Sequence, residues 1–523
     1  MNHNAASENP NQDQAPLPGK ALLSIDTLGL ILGPVVMLVW LLGVRIHGLN
    51  PEAHRLFGVL LLTVIWWITE PIPIPATSLL AVVLCVMLGA VPPDAGGQVD
   101  RVVLAPFANP SVYFLLGGMF IGRAMMRHGL DRRIALSILS TRWASRSPAM
   151  VLLAVGLAVA SVSGWISNTA ATAMIYPVTL GLISVLAVGS AANDDFQRSP
   201  YASSLLLATG FAACIGGVAT PIGTPTNLYT MGFLAQPENL GKSINFFRFT
   251  LVGAPLALIL LLCLNGWLRL LSLQPTLDRG QLHDYLRQER GKLGAWKTGE
   301  KRTLLVFLIV VFLWIMPGIL AFVSETSLKW YQRHFPESIC ALLAPVLLFL
   351  LPVDWRRRKF CLELSDFRHI DWGTMLLFGA GLALGTLMEK TGLTRFLGDS
   401  AFAMLGTRDM WAITAVAIAG ALLLSDFTSN TAAAIALVPV VWQICRQAGV
   451  DPVMPLMGVT FAASFGFLLP ISTPPNAIVY GSGLVPMRRM LVAGLGMDII
   501  GGTVAWCVLR VAWELGWSPF VES

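Results

Sequence analysis

Charged residues are scarce in this chain of 523 residues: Asp, Glu, Lys and Arg make up 12%, against 55% hydrophobic residues. Soluble domains carry about 25% charged residues, so a large soluble helical protein is excluded for want of polar surface. Cysteine is sparse too. Seven are scattered singly (Cys85, Cys214, Cys263, Cys340, Cys361, Cys445 and Cys507) with no CxxC pair, and most lie in apolar runs. They read as small hydrophobes rather than disulfides or metal ligands. No P-loop and no HExxH is present. A membrane enzyme or receptor would need a nucleophile, a metal cluster or a large soluble module, and none is visible, so no enzyme and no cofactor is expected. The first 20 residues lack a basic start followed by an apolar core and a cleavage site. Residues 1–20 are therefore expected to be a disordered tail, not a cleaved signal peptide.

Long apolar runs dominate the rest, and mean hydropathy is +0.69. Runs near 23–45, 55–75, 76–92, 110–128, 203–235, 243–272, 303–324, 337–352, 371–390, 452–483 and 487–515 are long enough to cross a hydrocarbon core of about 30 Å. Two further stretches, 147–189 and 408–447, are interrupted by polar residues and are expected to be re-entrant helical hairpins. The expected fold is thus an all-α polytopic membrane protein with about eleven transmembrane helices plus two hairpins. Basic residues support this count. With a cytoplasmic N-terminus, Arg127, Arg132, Arg133, Arg142 and Arg146, seven Lys/Arg between Arg279 and Arg302, the run Arg356–Lys359, and Arg488 and Arg489 all fall inside. They do so only if neither interrupted stretch crosses. The expected setting is the cell inner membrane, with the C-terminus periplasmic. Basic clusters this close to the membrane are topogenic, so no nucleic-acid partner is expected. The segment 273–302 mixes charge signs and predicts a solvated amphipathic helix.

The chain repeats itself. Residues 163–178 read SGWISNTAATAMIYPV and residues 425–440 read SDFTSNTAAAIALVPV. MMRHGL at 125–130 matches MEKTGL at 388–393, and GTPTN at 223–227 matches STPPN at 472–476. Three motifs in one order mark a duplicated unit. The span count orients the copies oppositely, as in secondary transporters built from inverted repeats. The division expected is a first repeat over 21–235, a helix and connector over 236–302, and a second repeat over 303–523.

Each Ser-Asn-Thr interrupts a helix at membrane depth, which is tolerated only inside protein or beside a wet cavity. Freed carbonyls with Ser and Asn oxygens suit Na⁺, while freed N–H groups at a helix start suit an oxyanion. Ser163 and Ser167, like Ser425 and Ser429, are four apart and predict a shared helix face. Proline breaks the helices at GTPTN and STPPN, where Gly223 and Ser472 offer carbonyls to a cation and Thr224 and Thr473 offer hydroxyls to an anion. Asp426 reads equally as structural partner or site modulator, and Glu70 as structural. His128 and His369 are expected to be solvated, and Trp66 and Trp67 to anchor at the membrane interface.

At these residues the chain resembles the divalent anion:sodium symporter family. The resemblance runs from GLNPEAHRLFGVLLLTVIWWITEPIPIP near residue 49 to the C-terminus, through IGGVATPIGTPTN, TSNTAAA and LLPISTPPNAIVYGSG. It implies a homodimer in the lipid bilayer, with a scaffold holding a transport domain that moves like an elevator. It also implies one Na⁺ at each hairpin tip, the first held by Ser163, Ser167, Asn168 and Gly223, the second by Ser425, Thr428, Asn430 and Ser472. Asn168, Thr169, Thr224, Asn430, Thr431, Thr473 and Pro474 would contact the substrate carboxylates. The chain departs from the family pattern at Thr226, Ser472 and Asp426. Both Ser-Asn-Thr motifs are kept, which favours Na⁺ symport of a small dianion such as succinate, malate or fumarate. A sulfate or other oxyanion symporter, a proton-coupled carrier using Asp426 and a dicarboxylate exchanger are the alternatives.

Overall fold

The computed structural model describes residues 25–517 apart from 47, 93–96, 189–198, 243 and 273–278. The expected N-terminal tail lies outside the described residues. Helices account for almost everything described, beside two short 3₁₀ turns and a two-stranded hairpin, Pro352–Asp354 with Lys359–Phe360. Proline starts many of the helices: Pro51, Pro110, Pro148, Pro200, Pro225 and Pro474 each occupy the first position of one. Its missing N–H costs nothing there and its fixed φ suits the helix. Asn109, Ser147 and Ser199 cap three of these starts by accepting a backbone N–H, so the turn chemistry rather than hydropathy sets the boundaries.

Ten helices among the described residues are long and apolar enough to cross a membrane, or eleven if the bent pair Glu325–His334 and Glu337–Leu350 is one span. Their membership differs from the sequence expectation. Length alone admits three hairpin arms, whereas Ile74–Met87 and Val453–Ala463 fall among the shorter apolar helices. Both hairpins are present as helix–break–helix units whose arms pack together: Pro148–Ser163 with Asn168–Val188, and Met410–Phe427 with Asn430–Ala448. Sequence reading missed two short helices, Leu130–Leu139 and Leu393–Leu405, which follow the matching HGL and TGL motifs and belong to the repeat. The amphipathic helix expected over 273–302 is Arg279–Gly291. It is not fully solvated, because Leu282 and Leu286 are buried in packing against neighbouring helices.

Several basic residues of the clusters expected to face the cytoplasm are tied down rather than free. Arg133 is buried, 3.0 Å from Glu300, with its guanidinium over the Trp296 ring. Arg123 and Arg127 both grip Asp366, Arg123 at 2.8 Å. His128, expected in solvent, is half-buried and bonded to the Cys361 carbonyl at 2.8 Å; His369 is exposed. Trp66 and Trp67 are also corrected. They are buried and their indole N–H groups donate to the Gly29 carbonyl and the Ser78 hydroxyl, so they pack helices together instead of anchoring at the interface. Glu70 caps the helix Pro51–Thr69 in a left-handed conformation, a structural role as expected.

At the centre lie two broken helices. The first is Pro200–Gly217 and Pro225–Leu234; the second is Val453–Ala463 and Pro474–Tyr480. Every residue from Tyr201 to Gly217 is buried, which explains the Ser, Thr, Gly and Ala content of that segment: it faces protein, and small residues allow close approach. Hydrogen bonds fix the direction of the pair. Ser203 donates to the Leu484 carbonyl, Cys214 approaches Thr473, Thr226 meets Ser464 at 2.6 Å, and Thr460 meets Thr230 at 2.6 Å. As numbering rises along one it falls along the other. The broken helices of the two copies are antiparallel.

Candidate functional site

The first hairpin ends its first arm at Ser163, and the second arm starts at Asn168. In the turn between them the backbone folds so that Ser163 Oγ lies 2.8 Å from Asn168 Oδ1 and 2.7 Å from the Ala213 carbonyl oxygen. The second copy repeats this closely. Ser425 Oγ lies 2.9 Å from Asn430 Oδ1 and 2.7 Å from the Ala463 carbonyl. In each cluster one hydroxyl proton stands among three oxygens. A serine hydroxyl has a single donor, so acceptors exceed donors at both tips, and a cation would relieve the excess.

The break in each central helix is pinned beside its tip by an asparagine. Asn227 Nδ2 donates to the Gly217 and Thr220 carbonyls at 3.0 and 2.8 Å; Asn476 Nδ2 donates to the Gly466 and Leu469 carbonyls at 2.9 and 3.1 Å. Both asparagines are fully buried, and in both the Oδ1 atom has no hydrogen-bond partner. These are the closing residues of GTPTN and STPPN. The sequence marks them by repetition, but their clamping role depends on a loop geometry that only the fold supplies. Glycine is required where each break passes its tip. A Cβ on Gly217 would lie 2.7 Å from Asn168 Oδ1, and Gly466 adopts φ +47° with Ser425 Oγ and Asn430 Oδ1 within 3.3 Å of where a Cβ would stand.

The match covers residues 26–518 of the chain by the family model for the sodium:sulfate symporter transmembrane region. The chain belongs to this family. It is a multi-pass membrane transporter, not an enzyme. Among its relatives is the sodium-dependent dicarboxylate transporter SdcS of Staphylococcus saprophyticus, 31% identical over 482 residues, covering 90% of this chain and 88% of the relative. SdcS of Staphylococcus aureus strain RF122 is also 31% identical, over 91% of this chain and 89% of its own. The solved structure of the Alcanivorax borkumensis YdaH transporter aligns with TM-score 0.50 at 11% identity, over 82% of this chain and 91% of that one, a likeness of fold alone.

Within this transporter the expected site residues divide. Ser163 with Asn168, and Ser425 with Asn430, are brought into contact. Gly223 stacks on Gly217, the residue against Asn168. Ser472 donates to the Asp426 carbonyl at 2.8 Å, next to Ser425. Thr224 and Thr473 stand at the N-cap positions of the helices that restart after each break, and only the Thr473 hydroxyl caps, accepting the Asn476 N–H. Other features differ from expectation. Ser167 does not share a helix face with Ser163, because the helix ends between them; Ser167 is exposed and caps the next arm through the Ala170 N–H. The same break, at Thr428, separates Ser425 from Ser429. The Thr428 hydroxyl turns away from Asn430 to the Trp67 carbonyl at 3.2 Å. Thr169 and Pro474 are exposed, while Thr431 is buried.

Proposed function

We propose that this transporter carries a small dicarboxylate of the succinate, malate or fumarate type inward in symport with Na⁺. The observation that supports it most is the duplicated surplus of neutral oxygens around Ser163–Asn168 and Ser425–Asn430. Neutral, hard oxygen donors bind Na⁺ without the charge that would hold it permanently. The names of the relatives, sodium-dependent dicarboxylate transporters, point the same way.

The first Na⁺ is assigned to Ser163, Ser167, Asn168 and Gly223, and the second to Ser425, Thr428, Asn430 and Ser472. Thr428 contributes its carbonyl, since its hydroxyl is bonded to Trp67. The substrate carboxylates are assigned to Asn168, Thr169, Thr224, Asn430, Thr431, Thr473 and Pro474. No Arg or Lys stands in either motif. The anion is therefore attracted by the bound cations and by the exposed N–H groups at the starts of the second hairpin arms, which makes anion affinity depend on Na⁺. Two repeats over 21–235 and 303–523, joined by 236–302, form one carrier unit of a homodimer in the inner membrane. Its N-terminus is cytoplasmic and its C-terminus periplasmic, and the hairpin-bearing part moves as an elevator against a scaffold.

Uptake of labelled succinate into proteoliposomes, driven by Na⁺, Li⁺ or a proton gradient alone, tests the proposal. Na⁺-dependent uptake is expected. Uptake unchanged without Na⁺ overturns it, and competition by sulfate stronger than by C4 dicarboxylates reassigns the substrate.

A further inference from the structure

Arg488 and Arg489 lie in the first turn of the helix Met487–Glu514, and among the described residues neither forms an ion pair. They border a cavity of about 350 Å³, lined also by Ser203, Leu271, Pro486 and Val492. Three helices meet there. Pro200–Gly217 and Met487–Glu514 begin at the cavity, and Phe246–Leu270 ends beside it. Arg489 ties them together. Its Nη2 donates to the Ser204 hydroxyl at 3.1 Å and to the Leu271 carbonyl at 2.7 Å. Both partners are neutral, and the Arg489 Nε is buried without a hydrogen-bond partner. A half-buried guanidinium is costly unless a counter-charge balances it, and arginine cannot shed its proton. The balance has to come from an anion.

The surface below the cavity says which kind. Arg488, Val492, Leu495 and Ile499 follow at spacings of four, three and four, so they share one helix face. Val492, on the cavity wall, is 46% exposed, Leu495 53% and Ile499 61%. One face is thus cationic at its first turn and bare hydrocarbon beneath, the pattern of an anionic headgroup above an acyl chain. The 28 residues of this helix span about 42 Å at 1.5 Å each, more than a hydrocarbon core of about 30 Å. Its first turn therefore reaches headgroup level. Trp267 stands beside that turn, its indole N–H donating to the Ala493 carbonyl at 3.1 Å, and tryptophan concentrates at the membrane–water interface.

We infer that this cavity binds the phosphate of an anionic phospholipid. Arg488 and Arg489 hold the phosphate, and an acyl chain runs along Val492, Leu495 and Ile499. Pro486 leaves the start of its helix without a side-chain cap, so the positive end of that helix adds to the attraction. A free phosphate ion shares the headgroup chemistry but would leave the apolar stripe uncovered. Ser203 stands ten residues before Ala213, about 15 Å along the same helix, so the site is separate from the first hairpin tip. It does not depend on the symport reading. A lipid held there braces the start of the first broken helix against its two neighbours through Arg489.

Native mass spectrometry of the purified full-length protein tests the site, with dioctanoyl phosphatidylglycerol, dioctanoyl phosphatidylcholine and inorganic phosphate as probes. One phosphatidylglycerol per protomer is expected to bind at least tenfold more tightly than phosphatidylcholine, and Arg488→Gln/Arg489→Gln to lose that tight site. Val492→Glu sets a carboxylate in the exposed wall of the cavity and is expected to lose it too, which decides the matter if the double variant does not fold. Equal binding of the two lipids, or a tight site that survives in the folded variants, overturns the inference. Inorganic phosphate bound as tightly as phosphatidylglycerol overturns the lipid and assigns the cavity to a free anion.

Discussion

At the scale of single residues, function rests on how few protons stand among the tip oxygens. Asn168→Ala or Asn430→Ala removes the amide oxygen that accepts from the Ser163 or Ser425 hydroxyl. Either should lower succinate uptake at least tenfold, equivalent to about 1.4 kcal/mol, with the protein still monodisperse by size-exclusion chromatography. Near-normal uptake in either variant would remove the site assignment. Gly217→Ala places a methyl against Asn168 Oδ1, so it should raise the Na⁺ concentration for half-maximal uptake more than it lowers the maximal rate; a purely reduced rate contradicts that. The serines and asparagines of the two Ser-Asn-Thr motifs were legible because repetition singles them out. The oxygens that complete each cluster were not. Ala213 and Ala463 contribute carbonyls, and nothing about an alanine announces where its backbone will point.

At the scale of elements, the hairpins were readable from a polar tripeptide between apolar runs, and the broken central helices from their Thr-Pro pairs. The short helices Leu130–Leu139 and Leu393–Leu405 were not, since each is too short and too polar to register as a span. The 3₁₀ turn Leu364–His369 is held ionically, by Arg123 and Arg127 of the helix Pro110–His128. Burial of Asp366 works against its charge, but the Glu363 N–H and the Arg123 and Arg127 guanidinium groups outweigh it and hold its carboxyl below the usual carboxylate range. A carboxyl depressed in the folded state stabilises the protein above its unfolded value of about 3.9, and that contribution fades as pH falls through the lower folded value. Asp366→Asn is therefore expected to lower the thermal midpoint at pH 7, by a loss of roughly 2 kcal/mol for the charged bonds given up. The gap from wild type should narrow as the pH falls below about 3.9 and on through the lower folded value. A gap that persists unchanged at low pH would show that the carboxylate charge is not the cause.

At the scale of the whole molecule, the opposite direction of the two repeat copies was the boldest expectation drawn from the span count. The descending register of Ser203 with Leu484, Cys214 with Thr473, Thr226 with Ser464 and Thr230 with Thr460 shows the broken helices of the two copies to be antiparallel. Thr226→Val/Ser464→Ala deletes one of the two closest of these cross-repeat bonds from both ends at once. Because each hydroxyl loses its partner together with itself, the stability cost should be small, under about 1 kcal/mol. Transport should suffer more than folding, since Thr226 also reaches the Thr224 hydroxyl at 3.3 Å. A variant that unfolds without losing specific activity in its folded fraction would contradict this.

The same antiparallel pairing has a genetic corollary. Each half of the polypeptide assembles its own cation clasp but leans on the broken helix of the other, Thr226 on Ser464 and Cys214 on Thr473, so neither half is held in shape alone. Severing the gene within the 279–291 connector should leave two inert fragments, and synthesising both in one cell should restore the carrier.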